Sequence, residues 1–315
     1  MGTPEEDIVR AMSNREQSRK RPWISVVLWI VAVLIMFVAA DYQERTGPTH
    51  EFDGSFDVGG AAFHFALLRS GNTDQDAPIT VPDPGEGVTG EVMYKRYPTG
   101  DPFTAIPMES VAGDLQAMLP AQPAAGKLEF YLVLSTPEGR IRIPQGEETL
   151  IMRFKDPVPL AALVPHVICM FIALLVGVRT ALGALFYPEG VKRLAWTTLV
   201  LMTLGGMILG PTVQKYAFGA FWTGWPYGYD LTDNKTLIMW LVWVGVVLVL
   251  WKRPSPRDWV VRGAMLVAAT VMLAVYVIPH SLRGSELDYQ EMQVETGWRG
   301  ADPLEPPWTS PPRVG

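Results

Sequence analysis

The sequence predicts a helical integral membrane protein with a β-sandwich inserted after its first span. Three observations lead there. Five apolar stretches are long enough, at about 1.5 Å per residue, to cross a hydrocarbon layer about 30 Å thick. Residues 41–158 alternate polar and apolar positions with period two. Lysine and arginine concentrate in alternate connections, as the positive-inside rule requires. The 315 residues are 49% hydrophobic and 18% charged, with the apolar ones bunched into those stretches.

Residues 1–22 carry Arg10, Arg15, Arg19, Lys20 and Arg21 and read as a cytoplasmic N-terminus. Trp23–Ala40 is the first span. "VAA" at Val38–Ala40 is a tolerable cleavage site, but the apolar core exceeds the ~7–15 residues of a secretory signal, so it reads as an uncleaved anchor.

Residues 41–158 are expected on the outer side. "AAFHFALL", "VTGEVMYKRY", "KLEFYLVL", "RIRIP" and "TLIMRF" alternate like strands, with "PDPGEG" and "STPEGR" as turns between them. Six or seven short strands at this length suggest a sandwich. The run "GDLQAMLPAQPAAGKLEFYLVL", Gly113–Leu134, resembles the strand–proline turn–strand passage of fibronectin-III and other immunoglobulin-like domains. That resemblance implies a docking module rather than a catalyst, and no nucleophile–base arrangement is visible. His50 and His64 are lone histidines. His64 shares a strand face with Ala62 and Ala66 and reads as a core or edge residue.

Residues 159–280 read as a four-helix bundle with spans Leu160–Leu182, Leu194–Val213, Thr236–Trp251 and Trp259–Ile278. Lys192 and Arg193 follow the first of these. Lys252, Arg253 and Arg257 follow the third. Both clusters fall on the N-terminal side, which makes that side cytoplasmic. Trp240, Trp243 and Trp251 suit interfacial depth. Arg179 lies toward the cytoplasmic side, where it can snorkel, and reads as a structural residue. "LGGMILG" brings Gly205, Gly206 and Gly210, small residues that favour close helix packing. Cys169 is the one cysteine, so no disulfide forms within the chain. The net charge of −6 lies in the outward segments, and nothing points to nucleic acid.

Two features of the bundle carry chemistry. His166 follows "LVP" and His280 follows "VIP", each at the outward end of a span and each preceded by a proline. Imidazole ligates iron, copper and zinc, and an ionisable group at the membrane edge is a functional candidate. Between the two histidines lies an outer loop, residues 215–235, containing "FGAFWTGWPYGYDLTDNK". Trp222, Trp225, Tyr227 and Tyr229 offer flat amphipathic rings, suited to cover a ligand or to anchor at headgroup level. Asp233 or Thr232 is expected to cap the next helix, and Asp230 is free to orient a histidine N–H.

The order histidine, aromatic loop, histidine resembles the haem-handling membrane proteins of cytochrome c biogenesis, which carry a tryptophan-rich "WWD" loop flanked by two outward histidines. Phe218-Gly219, Trp222, Trp225, Tyr229 and Asp230 match that loop in part, over about Pro165 to His280. Phe218 stands where the family has its first tryptophan, and the stretch Gly224–Asp230 is longer than the family's. The resemblance implies a haem at the outer leaflet, with iron between His166 and His280. Trp222, Trp225, Tyr229 and Asp230 would form its platform, and Lys215, Lys235 and Arg283 would meet its propionates.

Residues 281–315, ending "ADPLEPPWTSPPRVG", are proline-rich and acidic and predict an extracytoplasmic tail with no fixed fold in isolation. The sequence therefore predicts a multi-pass protein of a bacterial inner membrane, in contact with lipid. It is expected to handle haem, with a protein partner engaged by the outer β-domain or tail. The alternative is a non-catalytic assembly subunit that docks through the β-domain.

Overall fold

The computed structural model describes residues 22–85, 87–279 and 286–295. It divides into a helical bundle and a β-rich region lying between the first and second helices. Helix α1 spans Pro22–Arg45 and α2 spans Leu160–Phe186. Next come α3 (Val191–Met202), a π-helical segment (Thr203–Leu209) and α4 (Gly210–Phe218), in one continuous run. Helices α5 (Leu231–Lys252) and α6 (Trp259–Val277) complete the bundle. Five helices are long and apolar enough to cross a membrane: 23–45, 160–186, 191–218, 231–252 and 259–277.

The bundle core is built from small and flexible residues. Ala173, Ala195, Ala268, Met202, Met265 and Met272 share this core with Trp243, which is fully buried and whose indole Nε1 donates to the Met272 sulfur. Trp243 is therefore a core residue and not an interfacial anchor. Trp251, at the end of the same helix, is 82% exposed. Arg179 has the structural role expected of it. It is 2% exposed, bonds Ser25 Oγ at 3.0 Å and lies over the Trp29 ring. Its guanidinium thereby ties α2 to the first turns of α1.

In the β-rich region the long strand Lys127–Thr136 is central. It pairs antiparallel with Thr89–Arg96 on one side, and with Leu150–Lys155 and Gly139–Ile143 on the other. Ser70–Asn72 adds a parallel edge beside Leu150–Lys155, and Thr104–Pro107 closes the opposite edge. A three-stranded sheet of Ala77–Pro82, Asp114–Leu119 and Glu109–Val111 shares its core. Period two is the cause of this arrangement. Leu128, Phe130, Leu132 and Leu134 are wholly buried, each contributing about 1.5–3 kcal/mol, while the residues between them face outward.

The hairpin Phe52–Val58/Ala61–Leu67 turns Phe56, Phe65 and Leu67 inward. His64 lies on its exposed face, which fits the edge alternative of its reading and not the core one; along its own strand the inward residues are Phe65 and Leu67.

The tail also differs from its expected lack of structure. Glu286–Asp288 and Gln293–Glu295 form a short hairpin against the β-rich region. Leu287 is buried there, and its N–H donates to Ala125 O. The phenol of Tyr289 donates to Lys127 O and accepts from Lys127 N, both at 2.9 Å.

Candidate functional site

The site begins with a defect in a helix. In the π segment the N–H of Gly210 bonds the carbonyl of Gly205, five residues back, so the turn is wider than an α turn. Gly205 and Gly206 make this widening compatible with tight packing. A Cβ on Gly205 would lie 2.7 Å from Cys169 Cβ, and one on Gly206 2.8 Å from the Thr236 methyl. The small residues do pack, as their spacing predicts, and they also bring a backbone carbonyl within reach of α2. His166 Nδ1 lies 2.9 Å from Gly205 O. A carbonyl only accepts, so Nδ1 carries a proton, and the neutral tautomer compatible with this contact has its lone pair on Nε2. Acceptors of this kind fix the ligating tautomer of metal-bound histidines.

His166 lines a cavity of about 510 Å³ where the bundle meets the β-rich region. That volume falls in the ~300–1,000 Å³ range of small-molecule sites. Asp156 N donates to Ala217 O at 3.0 Å and ties the two parts together beside it. The apolar wall includes Leu163, Val167, Met170, Phe171 and Met239. The polar groups come from opposite sides. Helices α4 and α5 bring Gln214, Thr232, Asp233 and Lys235, and the β-rich region brings Lys127, Arg153 and Lys155.

The loop before α5 is held by the first turn of that helix. Asp230 is its N-cap, accepting from Thr232 N at 2.8 Å and Asp233 N at 3.3 Å. The capping role expected of Asp233 or Thr232 thus belongs to Asp230. It follows that α5 begins at Leu231, five residues before the expected start of the span. The carbonyl of Gly205, and not a carboxylate, holds His166. Asp233 instead reaches back, accepting from Thr223 N at 2.6 Å and Gly224 N at 3.0 Å, while Gln214 Nε2 donates to Thr223 Oγ1. Asn234 accepts from Trp225 N. Gly224 is obligatory at this closure, since a Cβ there would lie 2.6 Å from Asp233 Cβ. "TDNK" is therefore a helical turn whose side chains fold the loop back upon it.

That closure points the aromatic rings away from the cavity. Trp225, Tyr227 and Tyr229 are 65, 82 and 68% exposed. Trp222 is half-buried, with its Nε1 donating to Trp225 O. None of Trp222, Trp225 or Tyr229 lines the cavity wall, whereas His166 and Asp230 do. The expected platform for a ring is therefore not assembled by these aromatics. His280 and Arg283 lie outside the described residues. Of the other expected cations, Lys235 is in the wall, and Lys215 sits over the Phe221 ring and bonds Gly219 O.

Sequence reasoning missed Lys127 and Arg153, because each sits in an alternating strand where a cation reads as solvent-facing. Lys127 is 7% exposed and paired with Glu286 at 3.1 Å, and its burial lowers its pKa from the ordinary lysine value. Arg153 is likewise lowered, by burial first and by the neighbouring charge of Arg69 second. Among the described residues, no group of three or more His, Cys, Asp and Glu side chains is placed to hold a metal ion. Compared with known proteins, no family model matches the chain, and no curated protein is significantly similar to it.

Proposed function

We propose that this chain binds haem, or holds it for transfer, in the cavity at the rim of its helical bundle. The observation that carries the reading is the Nδ1 contact of His166 with Gly205 O, which would leave Nε2 of the neutral ring to ligate iron, at a residue that lines a largely apolar chamber. Haem would supply the redox-active iron. The chain would supply one imidazole, an apolar wall and cations for the propionates. His280, which lies outside the described residues, would be the candidate for a second imidazole. The reading includes a bacterial inner-membrane location, a cytoplasmic N-terminus, and the β-rich region as an extracytoplasmic sandwich that docks a protein partner. The clusters Lys192/Arg193 and Lys252/Arg253/Arg257 support that orientation.

The aromatic loop supports a second reading. Phe221, Trp225, Tyr227 and Tyr229 are all well exposed at the end of the bundle that meets the β-rich region, which suits an assembly subunit engaging a partner or the headgroup layer. Purification from haem-replete cells separates the two. A Soret band that co-elutes with the chain supports haem binding. Colourless protein that takes up no added haem, yet retains a stable partner, supports assembly.

A further inference from the structure

The cavity has an unbalanced charge. Four cations line it: Lys127, Arg153, Lys155 and Lys235. Its two carboxylates, Asp230 and Asp233, are already engaged with backbone N–H groups of the helix start and the loop. Lys127 has an ion-pair partner in Glu286. Lys235 has none. It is 4% exposed, and the one hydrogen bond of its ammonium among the described residues goes to the carbonyl of Ile278. An ammonium has three donors, so two remain for something else. Across the cavity, Arg153 has no hydrogen-bond partner for its buried Nε among the described residues. Buried cations are normally paired, because a charge desolvated without a counter-ion is strongly disfavoured.

We infer that the cavity selects its ligand by an acidic head group, carboxylate or phosphate, held between Lys235 on the helix side and Arg153 on the strand side. The body of the ligand lies along Leu163, Val167, Met170 and Phe171. The inference rests on the reading of this cavity as a binding site, but not on iron. It specifies an anionic amphiphile, of which a porphyrin dicarboxylate is one source and a phospholipid another. Lys235 and Arg153 act as specificity residues, whereas His166 acts only on a metal.

The test uses the full chain in detergent with iron-free protoporphyrin, its dimethyl ester, and dioleoyl phosphatidic acid against the matching phosphatidylcholine. The diacid should bind at least about tenfold more tightly than the diester, since charge-assisted hydrogen bonds are the strong ones. Lys235→Met and Arg153→Met should each erase most of that preference at an unchanged melting temperature. Displacement of protoporphyrin by phosphatidic acid but not phosphatidylcholine would assign the site to phosphate head groups as well. Where porphyrins fail to bind, retention of phosphatidic acid over phosphatidylcholine still supports the inference, although the haem reading then falls. Equal binding of diacid and diester without selective retention of phosphatidic acid overturns it, as does a preference that survives both substitutions.

Discussion

His166 Nδ1 and the carbonyl oxygen of Gly205 lie 2.9 Å apart, joining α2 to the π turn of the next span. The contact depends on a glycine at 205, because any side chain there meets Cys169. Gly205→Ala should cost about 1–3 kcal/mol by overpacking and lower the melting temperature in detergent. Gly210→Ala is the control. Its Cβ would make an ordinary 3.6 Å contact with the His166 ring, and the melting temperature should stay close to the parent's.

Asp230 and Asp233 are neighbours with different duties, so their substitutions should differ. Asp230→Ala removes a helix cap and should cost about 1 kcal/mol. Asp233→Ala leaves the buried N–H groups of Thr223 and Gly224 without an acceptor and should cost more, about 2–3 kcal/mol. Limited proteolysis checks the difference, with cleavage within 219–229 expected to accelerate in Asp233→Ala well beyond Asp230→Ala.

The tail hairpin should release at alkaline pH. Burial pushes the Tyr289 phenol up to about 12, against about 10 for a free tyrosine, while the nearby Arg96 charge works in the other direction. A folded-state pKa above the unfolded one means the contact is fully present below about pH 10 and lost as pH rises toward about 12. A spin label at Met292, with Cys169 replaced by serine, should gain mobility across that window. In Tyr289→Phe the label should be more mobile already at neutral pH, with a flatter response.

The proposed orientation predicts chemical accessibility. Single cysteines at Glu147, Arg193 and Ser255, in the same Cys169→Ser background, should react differently with a membrane-impermeant maleimide in cells with a permeable outer layer. Glu147→Cys should label directly, and the other two only after the inner membrane is opened. The reverse pattern would invert the topology.

The spans and strands were legible because burial imposes a period. Apolar runs marked the helices, and alternation marked strands such as Lys127–Thr136. Alternation alone leaves the choice of face open, which is why His64 reads from the sequence as either core or edge. The site was half legible. His166 stood out as an imidazole at a span end, and the small-residue string "LGGMILG" pointed to close packing. That close packing also presents a carbonyl to His166, a consequence of the π turn that residue types do not reveal. The start of α5 differs from expectation because "TDNK" has the composition of a helix cap, and only its contacts with Thr223 and Trp225 show why those polar residues lie inside the first turn. Lys127 and Arg153 were hidden for the opposite reason: their burial depends on elements brought together from elsewhere in the chain, including a tail that has no apolar period of its own.

The most direct measurement is a titration of the purified chain with haem, followed at the Soret band, for the parent, His166→Ala and the exposed-histidine control His64→Ala. The account predicts saturable binding for the parent and control, with binding to His166→Ala weakened at least about tenfold, as expected for loss of an axial ligand. A His166→Ala curve that superposes on the parent's, or no uptake by any of the three, would contradict it.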